Sequence, residues 1–428
     1  MSEVIPEGWS IESLGSLAGK ITSGATPKVD NPRYYGGTVP FLKIDDITSL
    51  RGRYVHTAKQ FITDQALNET SAKLFPPGTV LTTMYGTIGS TAILSKAMAT
   101  NQAIAAFIDL QNTTSEYLYQ LLTFEAPRLA SSASQTTQAN ISGAVLKEYC
   151  VPVPPLPEQQ KIATILSSVD DVIEKTRTQI DKLKDLKTGM MQELLTKGIG
   201  HTEFKDSLVG RIPTCWSVAK VQDLLANTKY PLRSGPFGSA LLKNELVPVG
   251  IPFLGIDNVH VEEFRPTFRR FVSKQKFQEL KRFAVFPGDV MVTIMGTVGR
   301  CCVVPENVGE ALSSKHVWTL TLQKGRYIPE LLCWQINFSD WVKKQFINES
   351  QGGVMESISS STLKNLRLPV PPIEEQKKIA DIHKSFSVQI NRKKVQLESL
   401  TNIKKALMQD LLTGKVRVKV DNPEVAAA

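Results

Sequence analysis

Two short segments carry the residue types needed to approach a phosphate closely. Ser23-Gly24-Ala25-Thr26-Pro27-Lys28 and Arg233-Ser234-Gly235-Pro236-Phe237-Gly238-Ser239 each combine small residues, N–H groups, hydroxyls and a cation. Donors of these kinds hold an anionic backbone, and an ordinary connecting loop has the same composition. Arginines follow in both halves of the chain: Arg51 and Arg53, then Arg265, Arg269 and Arg270. A guanidinium forks onto guanine O6 and N7 or onto phosphate; it is equally at home on solvated surface. Lys43, Lys243, Asn258, Lys315 and His316 add further donors. Tyr85 and Met295 precede two Gly-Thr turns holding Thr87 and Thr297, where they either pack inward or touch a base. The polar tracts 131–140 (with Gln135 and Gln138) and 349–361 offer Gln, Asn, Ser and Thr. Gln and Asn pair bidentately with adenine, and a flexible loop is the plainer alternative.

Catalytic chemistry is harder to place. Asn31-Pro32-Arg33-Tyr34 superficially matches the Asn-Pro-Pro-Tyr of amino-methyltransferases, but the second Pro is missing and no Gly-rich cofactor loop lies upstream. A turn is the better reading. Gly86-Thr87-Ile88-Gly89 lacks the Gly-Lys-Ser/Thr ending of a phosphate-binding loop, and no carboxylate cluster with a Lys suggests a nuclease. Five cysteines without framework spacing, two of them adjacent (Cys301-Cys302), fit a reducing cytoplasm. Neither they nor five scattered histidines form a zinc signature. The expectation is a non-catalytic chain with no catalytic residue, no cofactor and no metal of its own.

Charge refines this. The chain carries +9, unevenly spread. Residues 1–157 hold 11 basic and 12 acidic side chains, and 158–197 hold 7 of each. Residues 200–368 hold 21 and 15, and 374–415 hold 9 and 5. Charge therefore favours a nucleic-acid partner for the second half and is silent on the first. No apolar run approaches the roughly 18–20 residues of a membrane span, and the start MSEVIPEGWS has no signal-peptide pattern.

The elements that must position these residues come from a repeat. PVPPLPEQQKIA at 152–163 returns as PVPPIEEQKKIA at 369–380, 217 positions on, with nine of twelve letters identical. Each copy opens a long stretch of 3,4-spaced apolar residues. The first includes Ile162, Val169, Ile180 and Leu183; the second includes Ile379, Phe386, Ile390 and Leu400. Pro is tolerated at a helix start, and Gly198 and Gly414 mark the stops. A 39-residue helix spans roughly 58 Å. Such stripes predict an intramolecular antiparallel coiled coil with pseudo-twofold symmetry; the alternative is that each helix packs on its own globular block. The blocks preceding the helices are diverged copies. IPEGWS (5–10), PFLKIDDI (40–47) and PGTVLTTMYGTIGS (77–90) return as IPTCWS (212–217), PFLGIDNV (252–259) and PGDVMVTIMGTVGR (287–300). Between these landmarks the blocks hardly resemble each other.

These residues make the chain resemble the specificity subunit of a type I restriction–modification system. The two Pro-Pro-Leu/Ile-x-Glu-Gln motifs, the Trp9 and Trp216 openings, the Gly-Thr turns and the Leu-Leu-Thr helix ends carry the likeness, over about residues 4–418. The resemblance implies two target-recognition domains, each reading half of a bipartite DNA sequence in the major groove, with paired helices as a ruler. It implies partners too: double-stranded DNA, two adenine-N6 methyltransferase subunits and motor-nuclease subunits, with S-adenosylmethionine, ATP and Mg on those partners.

The expected fold class is α+β: two mixed α/β target-recognition domains separated by two long antiparallel helices. The boundaries are 1–151 (recognition domain 1), 152–199 (helix 1), 200–368 (recognition domain 2), 369–416 (helix 2) and a tail, 417–428. A self-sufficient DNA methylase and a coiled-coil adaptor that never touches DNA are the rival readings.

Overall fold

The computed structural model describes residues 5–132, 140–349 and 357–420. The chain divides into two compact units, residues 1–181 with 392–428 and residues 182–391.

In the first unit, Ala18–Ser23, Ile104–Leu110, Val80–Thr83, Thr91–Leu94 and Tyr54–Val55 form one sheet in that order. Gln60–Ile62, Tyr35–Leu42, Met98–Thr100 and Leu74–Phe75 form another. The second unit repeats the plan. Leu232–Arg233, Val317–Leu320, Val290–Thr293 and Cys301–Val303 form one sheet. The other runs Leu246–Val247, Phe271–Val272, Ile251–Leu254, Ala311–Ser313, Ala284–Val285. The registers agree as well: Phe41 lies opposite Gln60 and Ala99 as Phe253 lies opposite Arg270 and Leu312. Two copies that share so little sequence keep these landmarks because each strand is short and buried on its paired face.

The long helices run Leu156–Lys197 and Ile373–Leu412. Pro154-Pro155 and Pro371-Pro372 precede them, and each stops at a glycine with positive φ, 66° at Gly198 and 70° at Gly414. Within the first unit their packing is antiparallel, with Ile162 and Leu166 in one core with Met408, Leu411 and Leu412. Within the second, Met191, Leu194 and Leu195 share a core with Ile379. These cores also hold Trp9 and Trp216. Both packing readings of the helices are therefore realised. The halves pair, and their ends are built into globular cores, because apolar residues at each end exceed what a two-helix seam can cover. Each Leu or Ile so buried contributes about 1.5–3 kcal/mol.

The glutamate and glutamine of the repeated motif lock these ends. Glu158 accepts from the Trp9 indole N–H (3.2 Å), and Glu375 from that of Trp216 (2.8 Å). Gln159 donates to the Pro154 carbonyl, and Gln376 to that of Pro371, both at 2.9 Å. Each lock is completed by residues lying just beyond the other helix's stop. Arg417 pairs with Glu158, and His201 with Glu375, both at 2.8 Å. The buried Glu158 and the half-buried Glu375 are thus each held by an indole and a cation or imidazole, which offsets the cost of desolvating them.

Candidate nucleic-acid interface

The turn after each central strand presents a side chain outward. Gly86 and Gly296 adopt φ of 66° and 74°, a left-handed conformation that glycine takes without strain. Tyr85 and Met295, just before them, are exposed despite their size. Thr87 is exposed too, whereas Thr297 is half-buried. The turns are tied from inside: the Thr83 hydroxyl donates to the Thr87 carbonyl, and that of Thr293 to the Thr297 carbonyl.

Beside each turn lies the segment after the first strand of the sheet. Gly24 and Gly235 are required by packing, since a Cβ at either would run into a backbone carbonyl, of Thr100 or of Ser313. That close approach, rather than contact with a phosphate, explains both glycines. Ser23 ends its strand opposite Ala105. Beyond it, Thr26 is exposed and donates to Gln102 (2.7 Å). Lys28 is exposed and, among the described residues, has no ion pair. In the second unit Ser234 is half-buried, whereas Phe237, Ser239 and Lys243 are exposed.

Lys243, Lys315 and His316 meet at a cleft of about 240 Å³ that also takes in Phe253 and Arg270. Burial holds His316 below the usual histidine range, and Lys315 and Arg270 push it the same way. The imidazole is therefore neutral near pH 7, able to accept as well as donate. This cleft gathers candidates that the sequence had scattered over more than seventy positions, Arg270 among them.

Several candidates leave the site. Arg233 is buried. It pairs with Asp289 and donates to the Ala284 carbonyl (2.6 Å), the Tyr230 carbonyl (3.1 Å) and the Thr321 hydroxyl (2.9 Å), so its donors are engaged within the core. Arg51 pairs with Asp181 on the first long helix. Arg53 pairs with Asp171 (2.8 Å) and donates to the Ser167 carbonyl. Arg53 is thereby largely covered by the acidic face of the helix, whereas Arg51 stays exposed beside its partner. Asn258 is buried and braces its own turn, accepting from Gly255 N–H (2.9 Å) and donating to the Arg265 and Thr267 carbonyls. Lys43 is exposed; its N–H caps onto Asp46 at the start of Ile44–Thr48. Arg265 is exposed beside Glu263, and Arg269 is exposed. Gln135 and Gln138 lie outside the described residues.

Among the helix positions, Ile162, Ile180, Ile379 and Ile390 are buried, and Val169, Leu183, Phe386 and Leu400 are half-buried. The apolar side chains that the helices do expose are others, among them Val172, Leu186, Met190, Val388, Val395 and Ile403. Periodicity had placed the stripe; which residues face outward depends on where the globular cores reach the helix.

The comparisons fit this geometry. Residues 6–185 and 236–402 match the family described as the type I restriction modification DNA specificity domain. The chain is 27% identical over 422 residues to the type I restriction enzyme MjaVIII specificity subunit of Methanocaldococcus jannaschii, covering 97% of this chain and 94% of that one. It is 22% identical over 448 residues to the EcoBI specificity subunit of Escherichia coli, covering 98% and 89%. An S subunit crystal structure from M. genitalium superposes with a TM-score of 0.56 at 16% identity, over 96% of this chain and 97% of that one. The chain belongs to the type I restriction–modification DNA specificity family. It is a DNA-recognition subunit and not itself a catalyst. Neither the self-sufficient methylase nor the DNA-free adaptor is supported. Among the described residues no helix is long and apolar enough to cross a membrane.

Proposed function

We propose that each unit reads one half of a bipartite double-stranded DNA target, and that the chain recruits two adenine-N6 methyltransferase subunits and the motor-nuclease subunits. S-adenosylmethionine, ATP and Mg belong to those partners, and the chain acts in the cytoplasm. The observation that supports this reading is duplication with divergence at one place. Both units expose the residue before a Gly-Thr turn, Tyr85 in one and Met295 in the other, on matching strand frameworks. A shared scaffold with unlike tips suits two readers of unlike half-sites. The apolar residues exposed along the helices (Val172, Leu186, Val395, Ile403) supply surface for like partners.

Mapping methylated adenines in DNA modified by the assembled complex tests this. Two short specified blocks separated by a fixed unspecified gap are expected, and exchanging residues 200–368 with those of a relative should change one block only. A single continuous motif, or change in both blocks, would overturn it.

A further inference from the structure

Equivalent strands of the two units place different chemistry at one register position. Phe41 is paired with Gln60 in the first unit. In the second, Phe253 donates its N–H to the Arg270 carbonyl (2.8 Å), so Arg270 stands where Gln60 stands. The next strand repeats the contrast. The Met84 N–H binds the Ala103 carbonyl as the Ile294 N–H binds that of His316. Gln102 and Lys315, one residue earlier, are therefore equivalent too. The first unit is neutral at both places, and the second is cationic.

Arg270 is also aimed. Its guanidinium lies over the Phe253 ring, 5.7 Å from the centroid, and one terminal nitrogen donates to Asp257 at 2.7 Å. Gly255 makes room for that arrangement, because a Cβ there would clash with the guanidinium; the first unit has Lys43 at this place. A ring beneath and a carboxylate at one end fix the guanidinium, which lines the cleft together with Lys243, Lys315 and His316. Arginine held this way loses little freedom on pairing, and its fork matches guanine O6 and N7. Its side chain keeps 36% of its exposure, enough to meet a base edge and unlike the buried Arg233.

We infer that Arg270, positioned by Asp257, Phe253 and Gly255, reads a guanine in the half-site bound by the second unit, a contact the first unit lacks at Gln60. The inference rests on the bipartite reading above.

The test is methylation mapping and competition binding with the assembled complex carrying Arg270→Gln or Arg270→Lys. For both variants, one guanine in one half-site is expected to relax by about 10- to 100-fold, with the other half-site unchanged. Arg270→Lys keeps the charge and loses the fork, so its salt dependence should match the parent chain. Parental letters in the Lys variant would show a point charge acting on phosphate and overturn the assignment. Equal weakening of both half-sites would do the same. Thermal midpoints of the free variants distinguish unfolding from lost readout. If the parent complex yields no two-part motif, the bipartite reading itself fails; if it does and Arg270→Gln leaves it unaltered, only this inference fails.

Discussion

The indole nitrogen of Trp216 donates to Glu375 across 2.8 Å, joining residues 159 positions apart. Trp9 and Glu158 repeat the relationship in the other unit. The glutamate of the Pro-Pro…Glu-Gln motif is therefore a fastening point between a globular core and a helix start. Glu375 holds more than the indole: the Ile199 N–H and His201 also reach it, each at 2.8 Å. Replacing Glu375 with Ala should lower stability by about 1–3 kcal/mol, read as a drop in the urea midpoint, while the half-site letters read by surviving complex stay the same. Altered letters would give the residue a role in recognition.

Arg233→Leu should be more damaging, by about 3–5 kcal/mol, since Asp289 would be left buried without its cation. Unfolding followed by circular dichroism checks this. A well-folded variant with weaker DNA binding and a smaller salt slope would instead restore Arg233 to the interface.

Acid should loosen the second unit through Glu262, which accepts from Lys187 (2.9 Å) and His383 (2.5 Å). Burial works against the charge of Glu262, but His383 and Lys187 hold its carboxyl below the usual range. Burial likewise holds His383 below the usual histidine range, with Glu262 opposing and Lys187 assisting. A carboxyl lowered in the folded state contributes stability that is present above its unfolded value, about 4.3, and lost as pH falls through the folded one. A histidine lowered in the folded state makes stability fall as pH drops below about 6.5, where the unfolded chain takes up the proton. Both effects run the same way. Glu262→Gln should be less stable than the parent at pH 7, with the gap narrowing below about pH 4; a gap independent of pH would remove the carboxylate from the account.

Gly235→Ala should block folding of the second unit, because the added methyl meets the Ser313 carbonyl. Gly86→Ala meets nothing within 4 Å and carries only the strain of positive φ, about 1 kcal/mol. Soluble yield and thermal midpoint should separate the two; equal loss would mean that close approach is not what demands the first glycine.

The repeat, the helix starts and stops and the two Gly-Thr turns were legible in the sequence because each is local. Proline, glycine and 3,4 spacing act on their own stretch of chain. The ion pairs of Arg51 and Arg53 were not foreseen, because their partners are set by folding. Yet Asp170, Asp171, Glu174 and Asp181 lie in the sequence as an acidic helical face that could have claimed them. Arg233 carried a subtler signal. Its counterpart by register is Thr22, opposite Ala106 as Arg233 is opposite Thr319, and that of Asp289 is Thr79 in the PGTV/PGDV landmark. Two threonines in one copy become an ion pair in the other. Such a joint change marks contact within the fold, whereas Gln60 becomes Arg270 while the carboxylate beside it is an Asp in both copies, Asp45 and Asp257.

The Arg417–Glu158 pairing bears on the order in which the molecule can be completed during synthesis. The first unit's core takes Met408, Leu411 and Leu412 from near the far end of the chain, and its glutamate waits for Arg417. The second unit is one unbroken stretch, 182–391. On a ribosome making the chain from its start, domains fold as their residues emerge. The unit made first is thus the unit finished last, and a chain cut short before residue 404 would carry a sound second reader beside an unclosed first one.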